Sequence, residues 1–225
     1  MTNCLPALYL MLGHSAVLTG NIAWQSIRWD RVEYLVKSIQ SRIVKAVRAR
    51  RWNKVKVLQG ILRRSYAARL LAIRRVTENS GKRTAGIDKQ LWNTPQSKFK
   101  AVDQLQALGY QPLPVRRIKI PKSNGKWRAL GIPTMKDRAM QAVHLLALDP
   151  VSETLADPNS YGFRRHRSCA DAIARCFSIL AKPNAPKWIL EGDIRGCSTI
   201  FRILGWNKIF QQKSEYCING SKRDM

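Results

Sequence analysis

The chain has 225 residues, with Lys+Arg 40 against Asp+Glu 14 and a formal net charge of +26. A compact body carrying that imbalance repels itself and attracts polyanions, of which nucleic acids are the commonest. A hydrophobic content of 45% excludes a disordered basic tail.

At the start, residues 5–18 are mostly apolar, but no Lys or Arg precedes them and Gly13, His14 and Ser15 interrupt the run. It is too short to span a bilayer as a helix. Residues 1–23 therefore read as a poorly ordered leader, with a weak secretory signal as the minor alternative. Helical periodicity begins at Trp29. Val32, Val36, Ile39, Ile43 and Val47 recur at helical spacing, with Lys37, Arg42, Lys45 and Arg48 between them. A second helical stretch places Val55, Leu58, Leu62, Tyr66, Leu70 and Ile73 in phase. Its cations include Lys54, Lys56, Arg63, Arg64, Arg69, Arg74 and Arg75. Solvated faces usually mix both signs. Acidic residues are nearly absent here, so one-sided charge over two helices favours a phosphate-binding surface.

Residues 79–88 are rich in turn formers and read as a loop carrying Lys82 and Arg83. A helix from about Gln96 to Leu108 follows, with Gly109 as its stop. Arg116–Pro121 alternates basic and apolar residues, the pattern of a half-buried strand. Asn124-Gly125 supplies a hairpin turn, and residues 127–132 return as the second strand. Thr134 and Asp137 form a capping-box-like helix start, and Met140, Val143 and Ala147 mark its buried face. Ser168 and Asp171 repeat the cap for a helix to about Leu180. Residues 187–190 read as a short apolar strand leading to Asp193.

Few residues suggest chemistry by themselves. Lys119, Lys122, Lys126 and Arg128 cluster around the hairpin turn, where cations on a rigid ribbon can grip a triphosphate or a nucleic acid backbone. Many exposed hairpins carry lysines, so the signal is weak alone. Asp193 after an apolar strand is placed to hold a hard cation such as Mg²⁺, although an isolated Asp there is usually a turn residue. Cys4, Cys169, Cys176, Cys197 and Cys217 include no Cys-x-x-Cys pair and no zinc spacing. They read as reduced thiols in a cytoplasmic protein. His144 falls in a helix and reads as structural.

Four blocks in order then resemble a known family. Residues 42–47, 54–59 and 72–88 resemble the N-terminal extension of bacterial group II intron reverse transcriptases. Ile-Pro-Lys-Ser-Asn-Gly-Lys-Trp-Arg-Ala-Leu-Gly-Ile-Pro-Thr-Met-Lys-Asp-Arg-Ala-Met-Gln (120–141) is similar to their fingers motif. Asp-Pro-Asn-Ser-Tyr-Gly-Phe-Arg-Arg-His-Arg-Ser (157–168) is similar to the next block, and Leu-Glu-Gly-Asp-Ile-Arg-Gly-Cys (190–197) to the start of the first palm motif. The resemblance implies an α+β fold: a helical basic N-terminal extension, then the fingers and the start of the palm of a right-hand polymerase, incomplete. It implies a helical RNA-binding domain over 24–95, fingers and partial palm over 96–197, and an out-of-frame or unrelated tail over 198–225.

By the same resemblance, the family copies RNA into DNA and helps its own intron splice, the maturase activity. Asp193 would be the first catalytic, metal-binding carboxylate, with Mg²⁺ as the family's cofactor. Lys122 and Arg128 would contact the incoming nucleotide. Arg42, Lys45, Arg48, Lys54, Lys56, Arg63, Arg64, Arg69, Arg74, Arg75, Lys82 and Arg83 would hold group II intron RNA. The alternatives are a general RNA-binding protein and one half of a split enzyme completed by a separately encoded C-terminal half.

The sequence also departs from the family. Arg128-Ala129-Leu130-Gly131 stands where Arg-Pro-Leu-Gly is usual, and Arg164-Arg165-His166-Arg167 where Arg-Pro-Gly-Arg is frequent. After Cys197 the family continues Phe-Asp-Asn-Ile, but here Ser198-Thr199-Ile200-Phe201-Arg202 follows. Without the carboxylate of Phe-Asp and the later paired Asp residues, a two-metal site is incomplete, so the expectation is a truncated enzyme that binds intron RNA and has no functional metal or polymerase activity alone. A frameshift explains the break. Phe-Asp-Asn-Ile-Ser-His written TTC GAC AAT ATT TCG CAT loses one T and becomes TCG ACA ATA TTT CGC AT, which reads Ser-Thr-Ile-Phe-Arg. Resequencing the locus should reveal in-frame palm sequence one base away; its absence would refute the frameshift.

Overall fold

The computed structural model describes residues 24–121, 123 and 125–192. The leader (1–23), Lys122, Asp193 and the tail (198–225) lie outside the described residues. Two compact units divide at Val151 and Ser152.

The first unit is mainly helical. Trp24–Ser26 forms a 3₁₀ turn, and the buried Trp24 ring meets Trp29 at 5.3 Å and Phe99 at 5.4 Å. α1 spans Trp29–Arg48 and buries Val32, Val36, Ile43, Ala46 and Val47. Its end is a Schellman closure: the Arg51 N–H donates to the Ala46 carbonyl and the Arg50 N–H to that of Val47, both at 2.9 Å. Arg50 occupies the left-handed position at φ 53°, where glycine is usual.

The single helical stretch expected over residues 55–73 is two helices, α2 (Trp52–Arg64) and α3 (Tyr66–Glu78). Ser65 breaks it. Its backbone is extended (ψ 133°), and its side chain accepts from the Ala68 N–H, so one serine ends α2 and caps α3. The hydrophobic phase continues across the break because Leu58, Leu62, Leu70 and Ile73 all enter one core. α1, α2 and α3 pack on one another, and α3 also packs on α4 (Pro95–Gln104). α4 stops short of the expected Leu108; Gly109, at φ 69°, belongs to the turn beyond it.

β1 (Arg116–Pro121) and β2 (Trp127–Ile132) form the expected antiparallel hairpin, with Lys119 opposite Ala129 and Ile120 opposite Arg128. β1 is more exposed than its alternation suggests. Only Ile120 is half-buried, because the ribbon has no third strand or covering helix along most of its length among the described residues.

α5 (Met135–Leu155) starts at the expected cap. The Thr134 hydroxyl accepts from the Asp137 N–H at 3.1 Å, while the Asp137 carboxylate accepts from the Thr134 N–H and hydroxyl. Tyr110 donates to the same buried carboxylate. The loop expected over 79–88 contains a 3₁₀ turn (Ser80–Arg83) and is stapled to this helix start. Arg138 donates to the Gly81 and Thr84 carbonyls, and Gly86 packs so closely that a Cβ would stand 2.6 Å from Thr134 Cα. Only glycine fits there.

Met140, Val143 and Ala147 are buried as expected. Pro150 lies inside α5. It has no N–H to give the Leu146 carbonyl four residues earlier. That carbonyl accepts instead from Gln40 Nε2 of α1 at 2.8 Å, and the Ala147 carbonyl accepts from Gln59 Nε2 of α2 at 3.0 Å. His144, one turn before, packs at the same contact. Burial, and then the nearby Arg63 guanidinium, lower its pKa from 6.5 to about 4.

In the second unit, α6 (Cys169–Leu180) begins at a full Ser168–Asp171 capping box. Arg164 pairs with Glu153 at 2.9 Å, and Arg167 donates to the carbonyls of Pro158 and Ser160. The apolar strand expected over 187–190 does not form: Trp188, Ile189 and Leu190 are exposed and irregular, with no strand paired to them among the described residues. Among the described residues, no helix is long and apolar enough to cross a membrane.

Two outcomes follow from the α5 contact. Gln40→Ala should cost about 1–3 kcal/mol in urea unfolding, the cost of an unpaired buried carbonyl. In a Pro150→Ala background the same substitution should cost clearly less, because the restored N–H reclaims the carbonyl; equal losses would refute the pairing. For His144, the folded chain holds the ring neutral while the unfolded chain takes a proton below pH 6.5. Its contribution is complete above about pH 6.5 and is lost as pH falls towards 4, by roughly 3 kcal/mol at most. His144→Gln should flatten that part of the stability–pH curve, and an unchanged slope would show that the ring titrates normally.

Candidate nucleic-acid interface

Hydrophobic spacing, not charge, fixes where the cations of α1–α3 lie. Once Val32, Val36, Ile43 and Val47 of α1 and Val55, Leu58 and Leu62 of α2 turn inward, the residues between them must face out. Arg42, Lys45 and Arg48 are exposed on α1; Lys54 and Arg64 are exposed on α2, with Lys56 and Arg63 half-buried. Arg75, Lys82 and Arg83 are exposed at the end of α3 and in the following turn. None of these ten has an acidic partner among the described residues.

Two of the expected RNA-binding cations are engaged inside the fold. Arg74 pairs with Glu33 at 3.3 Å and Glu78 at 3.1 Å, and its guanidinium lies 4.6 Å from the Trp29 ring centre. Arg69 donates to the Val102 carbonyl at 3.0 Å, joining α3 to α4, and lies 5.3 Å from the Tyr66 ring centre. Spacing gave no sign of this, because the partners come from elements far along the chain.

Arg63 differs again. The residue is half-buried near His144 of α5, and Nε is buried without a hydrogen-bond partner. Burial, and then the adjacent Arg64, lower its pKa. Arg64 folds back over its own helix: a Cβ at Gly60 would stand 3.4 Å from Arg64 Nη1. His144 and Gln59 are the neighbours that the sequence did not associate with this cluster.

The hairpin does not gather its cations on one face. Directly opposed residues share a face, so Lys119 lies with Ala129 while Arg128 lies with Ile120 on the other side. Arg128 is exposed. Lys122, its expected partner on a nucleotide, and Asp193, the expected metal ligand, are outside the described residues. Among the described residues no group of three His, Cys, Asp or Glu side chains could hold a metal ion.

Comparison with known proteins assigns the two parts of the sequence. Residues 24–105 match the N-terminal domain of reverse transcriptase, and residues 120–219 match the reverse transcriptase (RNA-dependent DNA polymerase) domain. The chain is 38% identical over 130 residues to Escherichia coli (strain K12) Protein YkfC, covering 55% of this chain and 34% of that protein. It is 36% identical over 130 residues to the Lactococcus lactis Group II intron-encoded protein LtrA, covering 56% of this chain and 21% of that protein. A Schizosaccharomyces pombe 91 kDa protein in a cob intron is 30% identical over 130 residues, covering 57% and 16%. The matched region thus spans between 16% and 34% of these relatives' own lengths. The chain belongs to the reverse transcriptase family, carrying its N-terminal domain followed by reverse transcriptase domain sequence, and is homologous to group II intron-encoded proteins.

Proposed function

We propose that this chain binds group II intron RNA, in the maturase manner, through the basic surface of α1, α2 and the turn after α3. The observation that carries the reading is the set of cations with no acidic partner among the described residues: Arg42, Lys45, Arg48, Lys54, Arg64, Arg75, Lys82 and Arg83, all exposed, with the half-buried Lys56 and Arg63 beside them. An internally neutralised surface would not displace counterions from a phosphate backbone, and this one would. The homology to a group II intron-encoded protein favours intron RNA over nucleic acid in general. At physiological salt the chain should bind a group II intron RNA at least about tenfold (about 1.4 kcal/mol) more tightly than an unrelated structured RNA of equal length. Equal affinities would leave only non-specific charge and sink the reading.

A second reading concerns polymerisation. Two-metal nucleotidyl transfer needs further carboxylates beside Asp193, and Thr199 stands where the family has the Asp of Phe-Asp. In this reading polymerisation needs those carboxylates from a separately encoded half or from the neighbouring frame. Restoring one base before Ser198 makes each new codon from the third base of one present codon and the first two of the next. The Ser198–Thr199 junction then admits Asp, Trp206–Asn207 requires Glu, and Tyr216–Cys217 requires Leu. Asn207–Lys208 gives either Gln or a stop, so an open restored frame requires AAC for Asn207. Sequencing that codon tests the reading: AAC keeps the frame open, and AAT closes it with TAA.

A further inference from the structure

The α2–α5 contact contains a charge that the fold does not answer. Arg63 is half-buried beside His144, its Nε has no partner, and Arg64 is held over Gly60 next to it. Neither Arg63 nor Arg64 has an acidic partner among the described residues. A guanidinium withdrawn from water without a counter-charge is costly, and a bound anion removes that cost.

The position is also held firmly. Gln59 lies one turn before Arg63 on the same face of α2, and its bond to the Ala147 carbonyl fixes this face against α5. His144 lies one turn from Ala147 on α5. Lys56 precedes Gln59 by three residues, so Lys56, Gln59 and Arg63 form a polar line about 10 Å long on one helix face. A line of donors ending in a partly buried fork suits a chain of phosphates better than one free ion.

We propose that Arg63, Arg64 and His144 form a phosphate-binding position in which one phosphodiester of bound RNA docks between α2 and α5. This rests on the RNA-binding reading above and assigns its anchor. Arg63 supplies the charge and the fork, Arg64 a second guanidinium from the exposed side, and His144 an imidazole N–H. The remaining cations of α1–α3 act as screened surface charge, so single removals there matter less.

The full chain tests this in three forms: unchanged, Arg63→Gln, and Lys100→Gln as an exposed single-charge control on α4. Affinity for intron RNA is read across a salt series, with thermal unfolding of each variant alongside. Arg63→Gln should weaken binding at least about tenfold, lower the salt slope by about one phosphate contact, and leave the melting temperature unchanged or higher. Lys100→Gln should stay within about twofold. Arg63→Lys should fall between, because it keeps charge and loses the fork. His144 ring resonances should shift on adding RNA at concentrations where inorganic phosphate leaves them unmoved. If the unchanged chain binds RNA and Arg63→Gln behaves like Lys100→Gln, this site is wrong and the RNA-binding reading stands. If the unchanged chain does not bind RNA, that reading fails and takes the site with it. Inorganic phosphate saturating the His144 shift, with no response to RNA, would assign the position to a small anion and overturn the proposal.

Discussion

A missing backbone hydrogen organises the first unit. Pro150 cannot complete the α-helical bond to Leu146, and a buried carbonyl left open is costly. The fold answers with Gln40 from α1, which donates to the Leu146 carbonyl, and Gln59 from α2 donates to the next carbonyl, that of Ala147. These directional bonds join the helical N-terminal domain to the first long helix of the polymerase region. Hydrophobic packing alone allows sliding along a helix, whereas two bonds to neighbouring carbonyls fix the register. The Gln59 bond holds the face of α2 on which Arg63 lies, one turn on, near His144.

The surface charge follows a different logic. Acidic residues are too few to neutralise the cations, and those on α1 and α3 are used for the fold itself. Glu33 and Glu78 hold Arg74 against the Trp29 ring. Exposed pairs of this kind contribute little stability, but a cation stacked on an indole fixes the α1–α3 contact more firmly. What remains outward is almost uniformly positive. Such a surface gains most from a ligand that releases counterions on binding, which describes a nucleic acid backbone. The same uniformity explains why individual contacts cannot be chosen by charge alone, and why burial is the discriminating feature at Arg63.

Much of this was legible in the sequence. The hairpin was found residue for residue, because alternation and Asn-Gly are local signals. The Thr134 and Ser168 caps were found for the same reason, and the resemblance blocks were matched by both reverse transcriptase domains. The failures share one cause. Ser65 splits a helix whose apolar phase runs on unbroken, so periodicity could not show the break. Arg69 and Arg74 count among the basic residues until Val102 and Glu33 are brought against them by folding. Partner identity across elements is the information that a linear reading lacks.

The second unit shows what happens when such partners are not supplied. α6 is capped at its start, but none of its residues is buried: Ile173 and Phe177, at 65% and 72% exposure, share an open apolar face. Trp188 and Leu190 are more than 90% exposed, and the strand expected there is not formed. A helix of 12 residues draws little stability from propensity and needs a packed face. A single strand likewise needs neighbours. Among the described residues neither requirement is met. The basic helices α1–α3 differ in this respect, because they pack on one another and bury their apolar faces in a shared core.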